Sequence, residues 1–129
     1  MTAMDLIRAE RKRQIEVEGW TPQHDDEHTD GSLLSAATQY YLSGTSARLT
    51  LREDGAPIGW RWDAKWWKPK GPQADLVRAG ALCLAEIDRL RRVGRKRRTF
   101  PPNGPYTGHA QARLTKIVGA LEMLTADAH

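Results

Sequence analysis

An apolar stripe that starts shortly after Pro72 constrains this chain more than any other feature of its sequence. Its apolar residues recur at the three- and four-residue spacing of one face of an α-helix. Asp75 near the start and three arginines near the end would complement the dipole of that helix. The stripe consists of Leu76, Ala79, Gly80, Cys83, Ile87 and Leu90, with Leu82 and Leu84 behind it. The pattern predicts one well-defined helix in the second half of the chain.

Three further stretches have the periodicity of helices. The first runs from about 4 to 18 and is followed by Gly19, which suits a C-terminal cap. The second starts near Asp30 and ends before Gly44, with small residues on its apolar face. The third runs from about 110 to 126 and is amphipathic. Its apolar face consists of Leu114, Ile117, Val118, Leu121 and Leu124.

Residues 45–72 are irregular in pattern and contain four of the five tryptophans. Two short runs, 47–52 and 57–62, flank a polar turn and leave room for one short β-hairpin. Pro69 and Pro72 argue against regular structure around them. The segment is therefore expected to be an insertion between helices.

These patterns predict an all-α fold of three to four helices with a Trp-rich irregular insertion. The 129 residues are enough for one domain. We expect a helical domain at 1–92, a basic and then Pro/Gly-rich linker at 93–108, and an amphipathic C-terminal helix at 109–129. That last helix has two open roles, because it could close the core or pair with a second copy of the chain in a homodimer.

Composition points to a cytoplasmic protein. The single cysteine, Cys83, cannot form an internal disulfide, which fits a reducing compartment. No run approaches the roughly 18 apolar residues of a membrane span, and residues 1–10 lack the apolar core of a signal peptide. We therefore expect neither a membrane partner nor export.

Positive charge is concentrated in residues 89–98, which hold seven of the twenty basic residues and no acidic one. The rest of the chain has thirteen basic and sixteen acidic residues, so its own net charge is −3. The run could contact nucleic-acid phosphates through Arg95, Lys96, Arg97 and Arg98, or it could form a solvated helix end. No helix-turn-helix or zinc-finger pattern accompanies it, so we expect no sequence-specific DNA binding.

The segment from His24 to His28, with the sequence HDDEH, is the densest group of polar side chains. Thr21 is a good N-cap and Pro22 suits a first helical position, so one or two helical turns should follow. The two histidines would share one face, and Asp25 could add an oxygen ligand for a divalent metal. A capped polar turn explains the same residues without a metal. We expect no metal and no cofactor, with a metal-dependent nucleotide hydrolase as an alternative.

The tryptophans at 60, 62, 66 and 67 alternate with Arg61 and three lysines. Aromatic faces can stack on a nucleobase, and neighbouring cations can contact its phosphates. The same tryptophans could instead anchor a segment that has few aliphatic residues to the core. Both interpretations stay open, because a half-packed ring can still form one wall of a pocket.

Two parts of the chain resemble a widespread set of uncharacterised small proteins of phages and prophages. These parts are ERKRQIEVEGWTPQHDDEHTDGSL and WRWDAKWWKPKGPQADLVRAGALCLAEIDRL, and the resemblance covers roughly residues 8–92. Ser32 departs from the pattern, since such proteins often carry Glu there. The order of a charged helix, a Gly-Trp pair and a polar turn with His also resembles the ryanodine-receptor repeat domain. The resemblance implies a phage accessory protein, a group that often counters host defence by sequestering nucleotide signals or by blocking a host protein.

Together these observations predict a binding protein of the host cytoplasm rather than an enzyme. We expect a small anionic ligand, with a nucleotide as the leading candidate, between the polar turn 20–28 and the segment 60–70. The predicted ligand-binding residues are Arg11, Gln14, Trp20, His24, Asp25, His28, Trp62, Trp66, Trp67, Lys68 and Lys70. No catalytic residue is predicted. The alternatives are the metal-dependent hydrolase, an inhibitor that binds a host defence protein, and a nonspecific nucleic-acid binder.

Overall fold

A computed structural model describes residues 1–45, 48–97 and 107–126, without the side chains of Lys96 and Arg97. One 3-10 turn, Ala64–Trp66, interrupts the Trp-rich segment. Within the described ranges there is no β-strand, so the predicted all-α class is confirmed. The helices are α1 (Ala3–Glu16), α2 (Pro22–Asp25), α3 (Ser32–Gly44), α4 (Pro72–Arg97) and α5 (Gly108–Ala126).

Helix α4 is the centre of the fold, because α1, α3 and α5 all pack against it. Its apolar stripe is buried as the periodicity predicts, and Ala79, Leu82 and Cys83 are each at most 1% exposed. Ile7 from α1 and Leu33 from α3 belong to the same core. The many small residues in these helices let their backbones approach closely.

Helix α5 packs against a further side of α4 through its apolar face. This is the face that could alternatively pair with a second copy of the chain in a homodimer. Ile117 and Leu121 are fully buried in the core. Leu114, Val118 and Leu124 are partly buried against it. Of the two roles expected for this helix, the structure shows closure of the core within one chain. The apolar face therefore no longer requires a second copy of the protein.

Helix α4 continues to Arg97, so the first five residues of the predicted linker, 93–97, are helical. Arginine and lysine are good helix formers, and their charge is favourable near a helix C-terminus. The basic run therefore extends the helix instead of ending it. The rest of that linker up to 106 lies outside the described residues. In the described part of the chain, no helix is long and apolar enough to cross a membrane.

The β-hairpin for which the sequence leaves room is reduced to one antiparallel bridge between Leu51 and Pro57. The Arg52 N–H donates to the Ala56 carbonyl oxygen at 2.7 Å and closes the turn. Proline has no N–H with which to extend a ladder, so the pairing stays short.

Gly80 marks a close approach between α1 and α4. A Cβ atom on Gly80 would lie 2.6 Å from Cδ1 and 2.7 Å from Cγ1 of Ile7, well inside van der Waals contact. Gly119 in α5 is a matched control, because a Cβ atom there would meet nothing within 4 Å.

We predict opposite effects of Gly80→Ala and Gly119→Ala on the free energy of unfolding. The first substitution should lower it by about 1–3 kcal/mol, because it overpacks the contact with Ile7. The second should raise it by up to about 1 kcal/mol, because alanine has the higher helix propensity. Urea denaturation followed by circular dichroism measures both. Equal effects at the two positions would contradict the close approach of α1 and α4.

Candidate ligand-binding cleft

The Tyr40 hydroxyl, on α3, holds the Trp-rich segment against the helices. It donates to the Trp66 carbonyl oxygen at 3.3 Å, and it accepts from the Lys68 N–H at 3.1 Å and from Arg78 Nη1 at 3.0 Å. A hydroxyl offers one donor and two acceptor positions, so all of them are used. Arg78 Nη1 also donates to the Lys68 carbonyl oxygen at 2.9 Å. These contacts position residues 66–68 relative to α3 and α4.

Trp60 lies in the core, and Trp67, like Trp62, is partly buried against it. Trp60 is 3% exposed, and its indole N–H donates to the Asp63 carbonyl oxygen at 3.1 Å. The centroid of the Trp67 ring lies 4.6 Å from that of Tyr40 and 5.1 Å from that of Trp60. The sequence predicts Trp67 as a ligand contact, but the structure places it in this interior group. The core-anchor interpretation therefore holds for Trp60 and Trp67.

The polar turn forms as predicted. Thr21 caps α2 by accepting the His24 N–H at 3.2 Å. The Asp25 carboxylate is buried and forms an ion pair with Arg11 of α1. Arg11 Nη1 also donates to the Trp20 carbonyl oxygen at 3.2 Å. Each charge of a buried pair is neutralised by the other, so Arg11 and Asp25 hold the turn on α1 rather than offer a free charge.

Two further contacts seat the polar turn. The carbonyl oxygen of Gln14, a fully buried residue of α1, accepts the Trp20 N–H at 2.9 Å. The Gln14 side chain donates to Glu10 at 3.4 Å and does not line the cleft. On the other side, Arg92 Nη2 of α4 donates to Asp26 at 2.8 Å. The predicted ligand contact at Gln14 is thus a structural residue that positions Trp20.

A cleft of about 450 Å³ lies between the polar turn and the Trp-rich segment. Six of the predicted site residues line it: Trp20, His24, Asp25, His28, Trp62 and Trp66. Glu18, Gly19, Leu33 and Asp63 complete the lining. The sequence reasoning missed Glu18 and Asp63 as site residues. Their positions beside Trp20 and Trp62 in the chain could have indicated them.

Four aromatic rings form a continuous row along the cleft. The rings of Trp20 and His24 are parallel to within 8°, with centroids 6.4 Å apart. The His24 and His28 centroids are 5.0 Å apart, and those of His28 and Trp62 are 5.1 Å apart. Trp66 lines the same cleft and is 44% exposed, so its ring is accessible to a ligand.

Two lysines flank the Trp66 ring. The Nζ atom of Lys65 is 5.3 Å from the ring centroid, and that of Lys68 is 5.5 Å from it. Both distances are short enough for a cation–π contact. Lys70, also predicted as a ligand contact, lines a separate groove with residues of α1 and the start of α4.

The cleft is lined by carboxylates rather than by cations, with Asp25 paired to Arg11 and Glu18 to Arg13. Its described lining contains three carboxylates but no lysine or arginine. Burial, and then the neighbouring His24, lowers the pKa of His28 from its usual value of 6.5. The His28 imidazole is therefore mainly neutral at pH 7 and supplies no positive charge. The side-chain hydroxyl of Ser32 lies 3.2 Å from its Nδ1 atom.

A metal-dependent hydrolase needs a metal-binding arrangement, and the part of the chain that the structure describes contains none. No group of three or more His, Cys, Asp or Glu side chains is placed there to hold a metal ion. Asp25, the predicted oxygen ligand, is paired with Arg11. Burial raises the pKa of the Cys83 thiol to about 12, so this cysteine is not an activated nucleophile.

Two arginines of the basic run at 89–98 form ion pairs within the protein. Arg89 is buried, and its Nε donates to Glu86 at 2.6 Å. Arg92 is engaged with α2, as described above. Arg95 is exposed on α4, whereas the side chains of 96–98 lie outside the described residues. Nucleic-acid binding through this run therefore stays a prediction.

We predict that Tyr40→Phe lowers the free energy of unfolding by roughly 1–3 kcal/mol, because Arg78 and the Lys68 N–H lose a shared acceptor. Tyr41→Phe is the matched control on the same helix, since no hydrogen bond is formed by the Tyr41 hydroxyl within the described structure. Tyr40→Phe should also make Trp66 more accessible to acrylamide quenching. Denaturant titrations measure the stability of both variants. If the two were equally stable, the anchoring role of the Tyr40 hydroxyl would be wrong.

Comparison with known proteins finds no matching family model, no matching curated protein and no matching solved structure. The geometry of the cleft is therefore the basis on which a function is proposed.

Proposed function

We propose that the protein binds a nucleotide in the cleft, with the base stacked on the aromatic side chains and the phosphate directed toward Lys65 and Lys68. The observation that supports this proposal is the aromatic lining, in which three tryptophans and two histidines surround one opening of about 450 Å³. Pockets for small molecules typically have volumes of roughly 300–1,000 Å³. A single nucleotide suits an opening of this size.

Stacking would supply the main part of the affinity. Every nucleobase has a π-face, and stacking one base on an aromatic side chain contributes about 1–3 kcal/mol. Trp66 offers a ring that is 44% exposed, and Trp20 and Trp62 line the same opening. Flat ligands would therefore be favoured over aliphatic ones of equal size.

The phosphate of such a ligand would lie beside Trp66 rather than inside the cleft. The carboxylates of Glu18 and Asp63 in the lining would repel it. Lys65 and Lys68 place their Nζ atoms 5.3 and 5.5 Å from the Trp66 centroid, within reach of a ligand stacked on that ring. Of the cations predicted as ligand contacts, only Lys68 keeps that role in this proposal.

We propose binding without turnover, because the groups that could supply chemistry are engaged elsewhere. Asp25 is paired with Arg11, and the Cys83 thiol is buried in the core. In a phage accessory protein, such binding would sequester a nucleotide signal of the host, as the resemblance to phage proteins implies. An inhibitor of a host defence protein would need no such cleft.

We predict that Trp66→Ala weakens nucleotide binding by about tenfold or more, because one stacking surface is lost. Isothermal titration calorimetry with GMP, AMP, CMP and UMP measures the dissociation constants. Ile58→Ala is the control, since Ile58 is 65% exposed and does not line the cleft. Its affinities should equal those of the unmodified protein. The proposal fails if no nucleotide binds at millimolar concentration, or if Trp66→Ala binds as well as Ile58→Ala.

A further inference from the structure

We infer that the cleft selects a guanine-type base, which carries two adjacent N–H donors beside a carbonyl oxygen, through the carboxylates of Glu18 and Asp63. This selectivity rests on the proposed function, because it presupposes that a base enters the cleft. It goes further by naming the chemical feature of the ligand that the cleft recognises.

The carboxylates of the lining provide acceptors that the protein leaves partly free. Glu18 accepts Arg13 Nη1 at 3.0 Å through Oε1, and Asp63 accepts the Lys65 N–H at 3.0 Å through Oδ1. Among the described residues, the second oxygen of each has no hydrogen-bond partner. Asp25, the third carboxylate, is 1% exposed and already paired. Because an ionised carboxylate only accepts, Glu18 and Asp63 favour a ring edge that donates.

Two side chains of the lining have an enclosed nitrogen without a hydrogen-bond partner in the described structure, Nδ1 of His24 and Nε1 of Trp62. The Trp62 indole offers the polarity opposite to that of a carboxylate. An indole N–H can only donate, and enclosed polar groups are nearly always paired in proteins. An acceptor atom of a ligand in the cleft that Trp62 lines would complete this pairing. The lining therefore calls for a ligand with several donors and at least one acceptor.

Guanine matches this set better than the other common bases. Its O6 atom accepts, and its N1–H and exocyclic amino group donate along the same edge. Adenine places the unprotonated N1 acceptor next to its amino group, and this nitrogen would face a carboxylate oxygen. Hypoxanthine keeps O6 and N1–H but lacks the amino group. Hydrogen bonds to an ionised partner are stronger than neutral ones, so a ligand with hypoxanthine in place of guanine should bind more weakly.

The test compares GMP, IMP and AMP by isothermal titration calorimetry on the full chain. GMP and IMP differ only in the exocyclic amino group. GMP should bind roughly tenfold or more tightly than IMP, the effect of one hydrogen bond to a charged group. Glu18→Gln or Asp63→Asn should bring the ratio of the two dissociation constants close to one. Both side chains are at the surface, and circular dichroism checks that the variants fold.

Glu16→Gln is the matched control for charge. It removes one carboxylate charge from an exposed side chain of α1 that pairs with Lys12 and does not line the cleft. The preference for GMP should survive this change. A preference that survives Glu18→Gln and Asp63→Asn as well would overturn the role of the two carboxylates.

Two further outcomes separate this selectivity from the proposed function. If GMP, IMP and AMP bind equally and Trp66→Ala weakens all three, the selectivity is overturned while nucleotide binding stands. If no nucleotide binds, both are overturned. Binding of tetramethylammonium in that case would assign the acidic aromatic cleft to organic cations, which aromatic rings also hold.

Discussion

A single hydroxyl group, that of Tyr40 on α3, determines the position of the Trp-rich segment that forms one wall of the cleft. Between α3 and α4 the described chain has only one 3-10 turn and one isolated bridge, so regular backbone pairing cannot hold it. The Tyr40 hydroxyl, together with Arg78, pairs with main-chain groups of Trp66 and Lys68. The Asp75 carboxylate adds a third anchor by accepting the Lys70 N–H at 2.8 Å. Buried main-chain groups must find partners, and here helix side chains supply them.

The opposite wall depends on a buried charge pair instead. Arg11 and Asp25 join α1 to α2, and removing one partner of such a pair typically costs about 3–5 kcal/mol. The residues that hold the cleft thus face inward, while the residues offered to a ligand, such as Trp66 and Glu18, are exposed. Substitutions of the exposed residues should therefore change ligand binding more than the stability of the fold.

Local patterns predicted the helices because periodicity, caps and breakers act over a few residues. The same reasoning could not separate Trp66 from Trp67, since an irregular segment has no repeat that indicates which ring faces the core. Nor could it show that Arg11 is a structural residue and not a ligand contact, because its partner Asp25 is fourteen residues away and only the fold brings them together. Likewise, the stripe of α5 indicates an apolar face but not the surface that covers it. In each case the deciding contact joins residues that are far apart in the sequence, so local patterns could not show it.

Binding of a nucleotide in the cleft is tested most directly by a ¹H–¹⁵N spectrum of the five tryptophan indole groups. The signals are assigned by single substitutions, and the spectrum is recorded during titration with GMP. Stacking in the cleft should shift the signals of Trp20, Trp62 and Trp66, which line it, more than those of Trp60 and Trp67, which lie in the interior group. Saturation of these shifts would give the affinity. Five unmoved signals, or shifts confined to Trp60 and Trp67, would contradict binding in the cleft.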